Sequence, residues 1–505
     1  MVAHGGESFW IATTPDTDYP ALSADLEVDA AVVGAGITGI TTAALLKQAG
    51  KTVALLDSKR IVRGATGYTT AKVTSGHGAV YSQLTKSFGE EGARTYADSN
   101  QAAIERIADL AQQHGIDCDF ERKANYVVAE KDEEREQLQA EADAMRRLGL
   151  PAEFVTETPL PYEVAGAVRL ENQAQFHPRK YLLGLAATIP GDGSHVFENT
   201  RARFVNHGEP CVVETELGNI RAADVILATH LPFMDRGLFF TKAHPHRSYA
   251  VAAPIDPAKA PDGMFINAGV PTRSVRTIRD GNRLLIQTGG EGHKPGLPGE
   301  DESERYEVLE AFLHENWPAA GELEYRWSTQ DYMPVDRVPY IGRLSRRSKH
   351  VFVATGYQKW GMTNGTVAAG ILTDTILGRE NGWASLYDSK RIHARASAGK
   401  FVKENASAGI RFFAQRLARG EKRKPEELAP GEGAILRLGG LKRAVYKDDG
   451  GKVHVLSPVC RHLWCYVEWN DAERSWDCPC HGSRYTGDGR VIQGPSVEDL
   501  RRVEP

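Results

Sequence analysis

The run Cys460-Arg461-His462, followed further on by Cys478-Pro479-Cys480-His481, constrains this chain more than any other feature. Four of the six cysteines, Cys460, Cys465, Cys478 and Cys480, crowd into this C-terminal stretch beside two histidines. A secreted disulfide framework spreads its cysteines more widely, whereas a knot of cysteine and histidine reads as a metal site. Two Cys-and-His pairs on separate loops suit a [2Fe–2S] centre in which thiolates hold one iron and imidazoles the other. Zinc uses the same residue types, so the spacing alone leaves both metals open. Cys118 and Cys211 stand apart and are expected to be core or near-surface thiols without a chemical role.

A site of that size occupies little of a chain of 505 residues, whose length implies roughly two to four domains. With 41% hydrophobic and 25% charged residues the chain can bury a sizeable core. The net charge of −5 and scattered basic residues give no footprint for nucleic acid. No signal-like leader and no apolar run of membrane-spanning length appears, so no membrane span and a cytoplasmic location are expected. The charged, Pro- and Gly-containing stretch 415–432 reads as a linker or docking strap, its Lys422-Arg423-Lys424 solvated. Short strand-like runs beyond it suggest a small all-β domain.

At the other end, Ala31-Val32-Val33-Gly34-Ala35-Gly36-Ile37-Thr38-Gly39 places a G-x-G-x-x-G turn directly after an apolar strand. Gly34 permits the tight turn, Gly36 lets the backbone approach a pyrophosphate, and Gly39 allows helix to pack on strand. The helix N-terminus offers unpaired N–H groups to phosphate, Ile37 and Thr38 among its first residues. Asp57, at the end of the second strand, is placed to accept hydrogen bonds from ribose hydroxyls, which favours FAD or NAD over NADP. Helices are expected over 132–148, with Leu138, Ala142, Met145 and Leu148 on one face, and over 361–378.

The segment Arg63–Lys72 (RGATGYTTAK) resembles the second flavin-contacting loop of the D-amino-acid oxidase/glycine oxidase superfamily. The run Trp327–Pro334, Pro339–Gly342, Ala354-Thr355-Gly356 is similar to that superfamily's C-terminal flavin motif. The resemblance implies FAD, held by Thr66, Thr69 and Thr70 of the loop and by Gly356, Trp360, Gly361, Met362 and Thr363, where a helix would aim its N-terminus at the flavin. No second glycine fingerprint for a nicotinamide is present, so electrons are expected to enter from an organic substrate.

The cysteine–histidine segment, with Leu463-Trp464-Cys465 and Gly482-Ser483-Arg484-Tyr485, looks like the Rieske proteins of cytochrome bc complexes. That resemblance selects iron over zinc and makes Cys460, His462, Cys478 and His481 the ligands. It also implies a Cys465–Cys480 disulfide, Ser483 and Tyr485 as hydrogen-bond donors to sulfur, and Gly494-Pro495-Ser496 as a covering loop. Trp464 replaces the usual glycine and Arg461 the usual small residue. Hydroxyl donors raise a cluster's potential, placing it high in the Rieske range of about −150 to +300 mV.

The expected architecture is an α/β Rossmann-like FAD-binding domain with an α+β substrate domain, followed by a small all-β Rieske domain. The oxidoreductase covers 1–400, with FAD-binding segments near 25–85, 196–240 and 330–390 and substrate-domain segments near 86–195 and 241–329. A linker covers 401–428 and the Rieske domain 429–505. The implied activity is oxidation of a C–N bond in a small-molecule amine or amino acid, N-demethylation included. Electrons would pass from FAD to the cluster and on to a one-electron acceptor protein or to dioxygen. The competing reading is an electron-transfer module serving a protein partner. Lys359, Tyr357 and His293 are the catalytic candidates; His77 is a candidate for flavin attachment, and Arg273 and Arg276 for a substrate carboxylate. A Rieske oxygenase is disfavoured, because no Asp…His…His set for a mononuclear iron is found.

Overall fold

The parallel strands Leu26–Val33, Val53–Leu56 and His195–Phe197 lie side by side, and Asn219–Leu227 and Val351–Thr355 continue the sheet on the other flank. Ala30, Ala31 and Val32 are wholly buried: Ala30 and Val32 pack with Ile40 and Leu46 of a helix on one face, Ala31 clusters with Val205 and Val213 of strands Ala202–Asn206 and Cys211–Thr215 on the other, and a strand covered on both faces is apolar throughout. This is a computed structural model describing residues 4–296, 302–392, 404–406, 409 and 420–504. Most of the expected linker, 401–428, lies outside the described residues.

Helix Ile37–Gln48 follows the glycine turn and packs against helix Gly361–Ile376. Contact is close: a Cβ on Gly365 would stand 2.7 Å from Ile37 Cγ2, and one on Gly39 would stand 1.8 Å from Gly34 O. Helix Asp132–Arg147 buries Leu138, Ala142 and Met145 along one stripe, as its periodicity implies.

A second, ten-stranded sheet carries the long strands Ala243–Pro254, Arg283–His293 and Tyr325–Pro334 beside one another. Lys72–Val73, from the first expected FAD-binding segment, and residues 330–334, from the third, pair into this second sheet. The two sheets are thereby stitched together by chain that runs along the seam between them.

The C-terminal residues form a three-stranded and a four-stranded antiparallel sheet around Leu456, Trp476 and Tyr485, all fully buried. Glu421 bridges to strand Gly433–Leu438, its N–H donating to Ile435 O at 3.0 Å. The end of the charged stretch is therefore strapped to this small domain. Cys118 and Cys211 are both buried. No helix among the described residues is long and apolar enough to cross a membrane.

Candidate functional site

A cavity of about 1070 Å³ opens along the seam between the two large sheets. Gly34, at φ +104°, starts its wall; a Cβ there would meet Ala228 O at 2.5 Å, so the turn requires glycine. Gly36, Ile37, Thr38, Asp57, Thr66, Thr69 and Thr70 line one end, and Tyr357, Lys359, Trp360, Gly361 and Met362 line another part. Gly39, Gly356 and Thr363 are not among the lining residues. Helices Ile37–Gln48 and Gly361–Ile376 both start at the cavity, and neither N-cap residue supplies a side-chain cap. Two positive dipole ends and the first-turn N–H groups beyond Ile37, whose own N–H is taken by Thr66, suit a dinucleotide's phosphates and an anionic ring edge.

Asp57 Oδ2 accepts from Ala35 N at 2.9 Å and Oδ1 from Lys59 N at 3.0 Å, which orients the carboxylate at the cavity rim with lone pairs to spare. Burial pushes its pKa up, opposed by those two N–H groups. Thr66 Oγ1 accepts from Ile37 N at 3.2 Å, and Thr38 Oγ1 lies 2.7 Å from the Tyr357 hydroxyl. The second loop is braced from below: Arg276, buried, donates to Thr70 O at 2.9 Å and Ala71 O at 2.7 Å. Arg276 is thus a structural tie, and Arg273 pairs with Glu291 at 2.5 Å; neither lines the cavity.

Lys359 reaches into the cavity and donates to Ser248 Oγ. Burial lowers its ammonium to about 8, against the pull of Asp331, and Asp331 is pushed up to about 6 by burial. Strand pairing places His246 opposite Asp331 and Ser248 opposite Thr329. Burial, then Lys359, drives His246 down to about 2, so its ring is neutral; its Nδ1 has no hydrogen-bond partner among the described residues. His230, Glu291, Arg337, Gln358 and Lys359 all line the cavity with positive φ, a concentration of non-glycine strain typical of functional sites. Sequence patterns carry no trace of His230, His246 or Asp331 as a group, since strand register pairs His246 with Asp331 and the loop after Asn219–Leu227 brings His230 Nε2 to 3.9 Å from Asp331 Oδ1.

His77 borders the cavity, stacked on Trp360 at 4.8 Å. Its Nε2 lies 2.7 Å from Thr74 O and its Nδ1 2.6 Å from the Tyr96 hydroxyl, so both ring nitrogens are engaged. His293 lies outside the cavity lining, with Nε2 3.0 Å from the Tyr249 hydroxyl and Nδ1 2.9 Å from Lys294 O.

In the small domain Cys465 and Cys480 form a disulfide, and the Cys478 sulfur lies within 4.8 Å of both its sulfurs. Cys460 and Cys478 are free and buried. The imidazoles of His462 and His481 stand 5.1 Å apart, and each presents a buried Nδ1 with no partner among the described residues. Two free thiols and two orphaned imidazole nitrogens are the donor set a Rieske cluster needs. The Tyr485 hydroxyl is 3.2 Å from Cys460 Sγ, and Ser483 Oγ accepts from Ser496 N at 3.0 Å. Trp464 adopts φ +57°, the backbone region in which glycine is usual.

The cluster loops dock on the second sheet. Tyr332 donates to His481 O at 2.9 Å, and Gln330 to Gly482 O at 2.8 Å. A Cβ on Gly482 would stand 2.5 Å from Gln330 Nε2 and 2.8 Å from Pro245 Cβ, so only glycine lets the loop approach this closely. Phe240 packs edge-on against both histidines, at 5.6 and 5.0 Å. Arg484, Gln493, Ser496 and Val497 of the small domain help to line the cavity itself.

These features match known proteins along the whole chain. Residues 29–375 match the FAD dependent oxidoreductase family and residues 421–504 the Rieske [2Fe-2S] domain. YhfW of Bacillus subtilis (strain 168), named for a Rieske 2Fe-2S iron-sulfur protein, is 35% identical over 99% of this chain and 97% of its own length. The gamma-glutamylputrescine oxidoreductase of Escherichia coli (strain K12) is 24% identical over 75% of this chain and 90% of its own. Glycine oxidase from Geobacillus kaustophilus shares the fold over 73% of this chain and 99% of its own, with a TM-score of 0.59 at 20% identity. The chain belongs to the FAD dependent oxidoreductase family, binds FAD, and carries a C-terminal Rieske domain that binds a [2Fe–2S] cluster.

Proposed function

We propose that this oxidoreductase oxidises a C–N bond of an amine or amino acid in the seam cavity and passes the electrons through the Rieske cluster to an external one-electron acceptor. One observation carries the reading: the strand Tyr325–Pro334 lines the cavity through Gln330 and Asp331 while Gln330 and Tyr332 hold the carbonyls of Gly482 and His481. A single strand thus touches both the cavity and the loops that carry the cluster residues. When bound, FAD accepts electrons in pairs from substrate and the cluster relays them singly.

The chain's own residues supply position and polarity. Ser248 holds Lys359 at the cavity wall within the field of Asp331, and Trp327 and Tyr249 contribute apolar surface against which a substrate can be oriented. The unpaired Nδ1 of the neutral His246 ring offers a substrate amine a polar contact, as acceptor or donor according to the ring's tautomer. Loss of a hydride from carbon, for which FAD would be the acceptor, and of a proton from nitrogen to solvent would give an imine, which water hydrolyses to a carbonyl compound and ammonia or, from a secondary amine, the shortened amine. Gamma-glutamylputrescine oxidoreductase and glycine oxidase, by their names, act on amine and amino-acid substrates, which supports this class.

The test is an anaerobic screen of primary, secondary and N-methylated amines and amino acids, reading flavin and cluster absorbance together. Flavin bleaching followed by cluster reduction is the expected result. Bleaching only by a reduced carrier protein would favour the electron-transfer module instead. With a substrate in hand, the pH profile of flavin reduction is expected to show an ionisation near 8, Lys359 being charged below it and neutral above. Lys359→Met removes that ionisation and leaves the rest of the profile.

A further inference from the structure

The outer nitrogen of one cluster histidine is claimed by the flavin-bearing part of the chain. His462 Nε2 lies 2.8 Å from Asp235 Oδ1, across 227 residues of sequence. Asp235 opens a short turn, Asp235–Gly237, that leads directly into Phe239–Lys242, whose Phe240 seats against the same two histidines. The His462 side chain is 5% exposed and Asp235 43%, so the carboxylate covers the ring from the solvent side.

We propose that Asp235 is an outer partner of the cluster that lowers its reduction potential, so that the oxidoreductase domain sets the driving force for electrons arriving at the Rieske centre. The logic begins with the ring's two nitrogens. With the orphaned Nδ1 turned to iron, the ring proton resides on Nε2, which donates to the Asp235 carboxylate. A hydrogen-bonded carboxylate makes the imidazole a stronger donor and adds negative charge beside a centre whose reduction adds another. Both effects favour the oxidised state. They oppose Tyr485 and Ser483, whose hydroxyls lie on the sulfur side. The potential is therefore set by two edges of one site, one supplied by each domain.

Linkage gives the contact a second consequence. Whatever factor docking imposes on the oxidised-to-reduced ratio, reduction imposes on docking. An electron reaching the cluster thus loosens the hold of Asp235 on His462 by the same factor. The inference rests on the cluster ligands and not on the amine chemistry, so either reading can fail without the other.

The test is spectroelectrochemical titration of the full-length holoprotein and its Asp235→Asn, Asp235→Ala and Asp235→Glu variants, with EPR and iron content to verify the cluster. Asp235→Asn keeps shape and an acceptor oxygen and removes the charge; Asp235→Ala removes both. The expected result is a rise in potential for both, by about tenfold in the oxidised-to-reduced ratio or about 59 mV for one electron, with Asp235→Glu returning towards the parent. A potential unchanged within twofold in that ratio, with cluster spectra intact, would overturn the proposal and leave Asp235 as an ordinary docking contact. Loss of the cluster in Asp235→Asn would overturn it too, assigning the residue to holding the domains together.

Discussion

Replacing Arg247 by alanine is expected to destabilise the docked Rieske domain by about 3–5 kcal/mol, the cost of leaving a buried charge without its partner. Arg247 has no solvent exposure; its Nη2 lies 3.0 Å from Asp477 Oδ2 and its Nη1 2.8 Å from Ser328 Oγ. Asp477 and Glu473 come from the small domain, so this guanidinium is the electrostatic bolt between the two halves, and both carboxylates hold its pKa above the usual arginine range. Arg484 also reaches Asp477, at 3.1 Å, and Asn470 donates to both Asp477 and Glu302. Truncating Arg247 removes the only cation that enters this network from the second sheet among the described residues. Arg247→Lys is expected to fall between parent and Arg247→Ala, because a point charge cannot serve Ser328 and Asp477 together as a planar fork does. Thermal melts followed separately in flavin fluorescence and cluster absorbance give the measurement, and an unmoved cluster transition in Arg247→Ala would refute the assignment.

Cys478→Ala is expected to have the larger effect on function. The substitution removes a thiol proposed as a cluster ligand, buried beside the Cys465–Cys480 disulfide, which remains to hold the two loops. Cluster EPR should vanish, and turnover with a one-electron acceptor should fall by at least about a hundredfold, since even outer-shell changes commonly cost tenfold to a hundredfold. Flavin reduction by substrate should persist at near the parental rate, because the cavity's glycine turn, Asp57 and Lys359 all belong to the other domain. Stopped-flow reduction under anaerobic conditions separates the two half-reactions. Unimpaired turnover with the one-electron acceptor would mean that electrons leave the flavin directly, and the cluster would lose its place in the path.

Much of this was legible in one dimension. The glycine turn after Leu26–Val33 and the helix ending at Ile376 follow from local sequence, because backbone geometry and side-chain periodicity act over a few residues. Other expectations depended on partners far along the chain. Arg276 carries a charge suited to a substrate carboxylate, yet two backbone carbonyls of the flavin loop occupy it. His293 closes a glycine-rich run whose Gly289–Gly292 do line the cavity, but the chain leaves the wall one residue later and the imidazole turns to Tyr249.

The feature that first constrained the chain shows the same division. The residue types of the cluster site, thiols and imidazoles on two short loops, could be read along the chain as a metal site; iron, the tethering cysteine pair and the two hydroxyl donors came from the resemblance to Rieske proteins. Which way that site faces is set by contacts between distant parts of the chain. His462 meets Asp235 across 227 residues, and Arg247 meets Asp477 across 230. Such contacts are set by how two domains pack, through the close approach that Gly482 permits and the charges buried behind it. No local pattern encodes a partner that distant.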